Sequence, residues 1–190
     1  KQALVEVGRN LAVMPSSKNP EVRVSAQNVK LLMEGLKNSF DFVLVDCPAG
    51  IGAGFERAVA AADEALVIVN PSLSSLRDAD KAVSLIKSYG LEKIQVVVNR
   101  ARGDLIAASL TIGVGDIKKI LKLDIAGVLP DDDGILLGDA KRLTKLYTSD
   151  KAYSYLAKNL TGAGKGKLYD PVSPYRGIFG RLKIAAARRL

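Results

Sequence analysis

Phe42-Val43-Leu44-Val45-Asp46-Cys47-Pro48-Ala49-Gly50-Ile51-Gly52 is the stretch on which the reading of this chain turns. Four consecutive apolar residues suit a short parallel strand buried on both faces. An aspartate at the tip of such a strand is the Walker B arrangement, whose carboxylate holds magnesium directly or through water. Pro48 stiffens the following turn. Gly50 lets a backbone N–H approach a terminal phosphate with no side chain in the way. A hydrophobic run ending in Asp is weak evidence alone, because an ordinary strand-end turn has the same composition. The Asp46–Ile51 sequence as a whole is far more specific.

Three further apolar runs lie downstream, at Glu64–Val69, Ile94–Val98 and Ile125–Leu129. A shorter run upstream, Leu11–Met14, is ended by Pro15. Helical periodicity fills the intervals. Ser25–Asn38 places Val29, Leu32, Met33 and Leu36 on one side, and Ser75–Ser88 does the same with Leu76, Ala79, Val83 and Ile86. Asp116–Leu123 and Lys151–Leu160 are further predicted helices. The alternation predicts an α/β fold, a mostly parallel sheet with helices on both faces. Its four strands would end in Asp46, Asn70-Pro71, Asn99-Arg100 and Pro130-Asp131. Ligands of open parallel sheets bind at the carboxyl ends of the strands. A carboxylate, an amide and a guanidinium gathered there suit a nucleotide phosphate with a metal ion. Strands must end somewhere, however, and Pro, Asn and Asp end them well, so position alone does not decide. Ser75 with Asp78 three residues on reads as a capping box.

Composition narrows the chemistry. The chain has 190 residues, 48% of them hydrophobic and 25% charged, as ordinary globular domains do. It contains no His, which excludes Ser-His-Asp triads and His-ligated metals. A lone cysteine, Cys47, excludes a disulfide framework and is expected to be a small buried filler. No apolar run approaches the roughly 18–20 residues of a spanning helix, and the first residues lack a secretion signal. A cytosolic setting is expected.

The net charge of +8 is unevenly spread. Residues 1–161, the expected α/β domain, carry +2, whereas residues 162–190 carry +6. Thr161 to Lys167 is rich in Gly, and residues 162–174 are expected to be a flexible linker. Residues 175–190, drawn as a helix, place Tyr175, Ile178, Phe179, Leu182, Ala185, Ala186 and Leu190 on one stripe. Arg176, Arg181, Lys183 and Arg188 flank or oppose it; Ile184 and Arg189 fit less well. A basic amphipathic helix of this kind lies flat among lipid headgroups. Docking on its own domain is the plainer alternative, and the Gly-rich segment argues against it. Nucleic acid is not expected as a partner, because the body is nearly neutral and the tail carries large apolar residues.

The chain resembles the MinD family of septum-site-determining ATPases, in the deviant Walker A group of P-loop proteins that also holds the ParA partition ATPases. The resemblance rests on Asp46-Cys47-Pro48-Ala49-Gly50-Ile51, on Ala62-Asp63-Glu64-Ala65 and on Asn70 through Asp80, and it continues through Gly127-Val128-Leu129-Pro130-Asp131-Asp132. It implies ATP and Mg2+ as ligands, with Asp46 as the magnesium-side carboxylate of switch II and Gly50 offering its N–H to the γ-phosphate. Asn99 stands where the family reads the adenine edge. Arg100 packs near the base, and Pro130 and Asp131 line its pocket through backbone atoms. Arg77, Asp78 and Asp80 fall in the region that contributes to partner binding. Ile178, Phe179, Leu182 and Lys183 correspond to the membrane-targeting tail. The implied partners are a second copy in an ATP-dependent homodimer, a division-inhibitor protein, an ATPase-stimulating protein and anionic lipids, at the inner face of the cell membrane.

The family's Gly-Lys-Gly-Gly-Val-Gly-Lys-Thr phosphate loop has no counterpart in these residues, nor do its first strand and switch I. The expectation is a chain that begins inside the family's domain and on its own neither binds ATP tightly nor hydrolyses it. Two other function classes remain open. One is a ParA-like or flagellar-number-type ATPase acting in DNA partition or polar organelle placement. The other is a non-catalytic membrane-binding fragment.

Overall fold

The computed structural model describes residues 4–15, 24–132, 148–177 and 180. The chain divides into two compact units, residues 1–61 and 62–190.

In the first unit, β1 (Val5–Gly8) and β2 (Leu11–Val13) form an antiparallel hairpin across Arg9-Asn10. Helix α1 (Ala26–Lys37) starts where Ser25 Oγ accepts the Asn28 N–H at 3.1 Å, which satisfies one of the unpaired donors of the first turn. Val29, Met33 and Leu36 are half-buried, and Leu32 is exposed. Helix α2 (Ala53–Ala60) holds the buried Phe55 and Val59. The strand expected at Phe42–Val45 does not form, and Phe42 and Leu44 are exposed. A strand exists only through a partner's N–H and C=O groups. Among the described residues of this unit, β1 and β2 pair with each other and Phe42–Val45 has no strand partner.

The second unit holds the parallel sheet. Its elements are β3 (Ala65–Val69), α3 (Leu73–Ser88), β4 (Ile94–Ala101), α4 (Gly103–Ala107), α5 (Val114–Leu121), β5 (Asp124–Pro130) and α6 (Thr148–Leu160). The strand order is β3-β4-β5, with β4 central and parallel to both neighbours. Alternation along β4 divides the core. Val96 and Val98 face Leu76 and Ala79 of α3 and Ile117 and Leu121 of α5. Val97 faces the opposite side, with Ala126, Leu129 and Ala152, Leu156 and Leu160 of α6. Helices therefore cover both faces, as the strand–helix alternation predicts. On the edge strand β3, Leu66 and Ile68 remain exposed.

A β-bulge lies in β5: Val96 pairs with Ile125 and Val97 with Gly127, so Ala126 is the extra residue. Bulging turns Ala126 to the α6 side along with Gly127, against which Leu156 packs so closely that a Cβ would lie 2.8 Å from its Cδ1.

Part of the span expected as a flexible linker is seated on this unit. Leu168 and Tyr169 pack against its core, and Asn159 Nδ2 donates to the carbonyls of Ala126 (2.9 Å) and Lys167 (3.0 Å). Pro171 is buried, and its carbonyl oxygen sits where a Cβ on Gly103 would stand. Gly103→Ala is therefore expected to destabilise the protein by about 1–3 kcal/mol, because the obstacle is backbone rather than a side-chain tip. Gly115 in α5 has nothing within 4 Å of where a Cβ would stand, so Gly115→Ala is expected to shift stability the opposite way, by up to about 1 kcal/mol of helix propensity. Urea midpoints followed by tyrosine fluorescence, in a chain with no Trp, would compare the two.

Candidate functional site at the carboxyl edge of the sheet

Parallel pairing puts the ends of β3, β4 and β5 on one edge of the second unit, which gathers Asn70–Ser72, Asn99–Arg102 and Pro130–Asp132. Three of the four expected strand ends thus share an edge. β4 runs further than its apolar stretch, to Ala101, but its register with β5 shifts between Val98 and Ala101. Asn99 and Arg100 occupy the irregularity. Arg100 has φ 53°, a left-handed conformation that costs a side-chain-bearing residue about 1–2 kcal/mol. Its Nε donates to Asp131 Oδ1 at 3.0 Å, tying the two strand ends together. Asp131 in turn donates its N–H to the Ala101 carbonyl at 3.4 Å. Asn99, Pro130 and Asp131 are half-buried, while Arg100 is exposed.

Contacts that sequence reading missed brace this edge. Arg102 grips Asp104 with two hydrogen bonds, of 3.0 and 2.7 Å. That fork holds the Asp104 carboxyl below its ordinary value and raises the Arg102 guanidinium. The Ser149 N–H at the start of α6 donates to Asp132 Oδ2 at 3.4 Å. Thr111 Oγ1 donates to the Pro71 carbonyl, joining the α4–α5 connection to the end of β3. None of these pairs has a local signature. Their members lie too close for a helical spacing or tens of residues apart.

The expected capping box at Ser75 and Asp78 is corrected by the structure. Helix α3 begins two residues earlier, capped by Ser72 Oγ, which accepts the Ser75 N–H at 3.3 Å. Ser75 Oγ instead accepts the Asn70 N–H at 3.0 Å and fixes the turn after β3. Ser72 has the extended backbone that a cap requires, whereas Ser75 already lies inside the first turn. Arg77, Asp78 and Asp80 of α3 are exposed, between and beside the buried Leu76 and Ala79.

In the first unit, Asp46 is exposed and follows an unpaired segment rather than the tip of a buried strand. Cys47 is also exposed, not buried. Partial desolvation, followed by the Asp46 charge, holds its thiol above the usual value and disfavours the thiolate. Gly50 adopts φ 88°, which a side chain would oppose, so the glycine is required by its own backbone. No cluster of three or more acidic, His or Cys residues occurs among the described residues. A lone carboxylate such as that of Asp46 would fit only a cation whose other ligands came from a phosphate and water. Ile178, Phe179, Leu182 and Lys183 lie outside the described residues. Among those described, no helix is long and apolar enough to cross a membrane.

The similarity to known proteins spans nearly the whole chain. The Septum site-determining protein MinD of Synechocystis sp. is 36% identical over 169 residues, which cover 85% of this chain and 64% of that protein. The protein of the same name from Helicobacter pylori is 33% identical over 186 residues, covering 92% and 69%. The solved MinC:MinD cell division protein complex of Aquifex aeolicus aligns with a TM-score of 0.76 at 34% identity, covering 85% of this chain and 67% of the solved one. The chain thus spans about two thirds of the length of the relatives it matches. No protein-family model matches it.

Proposed function

This chain belongs to the MinD family of septum site-determining proteins, and on that premise we propose that it is part of a peripheral membrane ATPase that selects the division site. In this reading nucleotide drives dimerisation and membrane binding, and hydrolysis releases the protein. The single observation that carries the nucleotide part is the carboxyl edge of β4 and β5, where an irregular, left-handed turn presents Asn99 and Arg100 beside Asp131. There the Asn99 amide pairs with the adenine edge, and the Arg100 guanidinium, oriented by Asp131, lies against the base. Pro130 and Asp131 close the pocket through their backbone. In the first unit, taken by itself, the Asp46 carboxylate would hold Mg2+ or its water, and the Gly50 N–H would donate to a phosphate oxygen, as the resemblance implies. Bound Mg2+ would supply charge neutralisation at the phosphates. Arg77, Asp78 and Asp80, exposed on α3, form the surface for a division-inhibitor and an ATPase-stimulating partner.

Isothermal calorimetry tests this reading. The 190 residues alone are expected to show no tight, magnesium-dependent ATP binding, since the backbone cradle and both lysines of the phosphate loop are missing from the sequence. The same residues preceded by a segment carrying Gly-Lys-Gly-Gly-Val-Gly-Lys-Thr are expected to bind, with Asn99→Ala weakening adenine discrimination and Asp46→Asn the magnesium dependence. Tight binding by the 190 residues alone, or none by the extended protein, would contradict the assignment.

A further inference from the structure

Helix α6 turns one side to the core and leaves another strongly basic. Ala152, Leu156 and Leu160 pack inward. Lys151, Tyr155 and Lys158, spaced four and three residues apart, share the outward side. Lys167 joins them from the following segment, because Asn159 Nδ2 holds its carbonyl at 3.0 Å. The Lys151 and Lys167 ammonium groups lie 5.9 and 5.2 Å from the centre of the Tyr155 ring, one aromatic between two cations. Lys165 lies two residues before Lys167. None of these four lysines enters an ion pair among the described residues. The acid nearest in sequence, Asp150, sits on α6 about a quarter turn away. Further along, Asp170 is engaged by Arg176 at 2.8 Å.

We propose that this side of α6 lies against an anionic lipid surface and forms a second membrane contact besides the tail. The inference rests on the membrane reading above. Charge complementarity favours anionic lipid, and a tyrosine between lysines matches the amphipathic side chains enriched at headgroup level. The segment that carries Lys167 precedes the apolar tail residues Ile178, Phe179 and Leu182 in the sequence. A duplex would need a longer basic track than four lysines on one short helix and its exit. The lysines give long-range attraction and orientation, and the tail gives insertion.

The test is flotation of the full chain with vesicles of phosphatidylcholine containing phosphatidylglycerol, and of phosphatidylcholine alone. Each lysine near an anionic leaflet is worth about fivefold in partitioning. Lys151→Gln, Lys158→Gln and Lys167→Gln together are expected to weaken binding to the anionic vesicles at least tenfold and to flatten its salt dependence. The three Lys→Arg changes are expected to bind as the unaltered chain does. Phe179→Glu with Leu182→Glu reports on the tail alone. If the glutamine variant binds like the unaltered chain while the tail variant fails, the patch is refuted and the tail reading stands. If the glutamine variant fails while the tail variant binds, the patch holds and the tail reading falls. Absence of binding by the unaltered chain overturns both. A glutamine variant that loses retention of short duplex DNA but keeps its vesicle binding overturns the lipid assignment.

Discussion

Ile117→Ala is expected to lower the stability of the sheet-bearing unit by about 3 kcal/mol, within the range for a fully buried Ile truncated in a core. Ile117 is 0% exposed and lies on α5 among Val69, Leu76, Ala79, Val96, Val98 and Val128. Three strands and two helices converge there, so the surrounding backbone has little freedom to close the void. The removed atoms lose their transfer free energy and their neighbours lose dispersion contacts. Ile120, three residues on, is 51% exposed on the same helix. Ile120→Ala is expected to change stability by no more than about 0.5 kcal/mol. Both changes substitute the best helix former for a β-branched residue, so propensity acts equally on each and burial alone separates them. Thermal unfolding should show a midpoint lowered by about 10 °C for the first variant and little change for the second. Equal effects would mean that α5 does not seal the core as described.

This core was the most legible part of the chain. Ala65–Val69, Ile94–Val98 and Ile125–Leu129 are largely apolar runs; β4 is buried on both faces, and β3 keeps the apolar pattern although Leu66 and Ile68 are exposed. Phe42–Val45 has the same composition and forms no strand, because composition specifies a face to bury and not the neighbour that supplies hydrogen bonds. β1 went unread, its Val5-Glu6-Val7 alternation being too short to stand out. At the candidate site, Asn99, Arg100, Pro130 and Asp131 meet on one edge, as strand direction implies. The left-handed Arg100 and its pairing with Asp131 across 31 residues had no sequence signal. The start of α3 was misplaced for a local reason. Ser72, Ser74 and Ser75 are all chemically able to cap, and only backbone conformation chooses among them. Leu168 to Pro171 was hidden by the glycines before it, which mark a turn in the chain but say nothing of where the chain settles afterwards.

Phe179→Glu combined with Leu182→Glu is expected to reduce vesicle binding about a hundredfold or more. Burying each of Ile178, Phe179 and Leu182 in the headgroup–acyl boundary contributes about 1.5–3 kcal/mol. Each of Arg176, Arg181, Lys183 and Arg188 adds about 1 kcal/mol near an anionic leaflet. The conformational entropy lost on ordering the segment opposes this. Binding against such a cost is steeply sensitive to the apolar terms. Losing two of three apolar anchors removes about 3–6 kcal/mol, a factor of roughly 10²–10⁴. The introduced carboxylates also meet a like-charged surface. The same opposing entropy makes one tail a weak anchor and two linked tails a stronger one, because the second binds at high effective concentration. Joining two copies through an appended parallel coiled coil is therefore expected to raise vesicle affinity by about 10²–10⁴ over the single chain. Far-ultraviolet circular dichroism should report added helix on vesicle binding, and the doubly substituted chain should show none. A monomer that binds as tightly as the linked pair would mean that the apolar stripe alone outweighs the ordering entropy. Membrane residence could then not be governed by dimerisation.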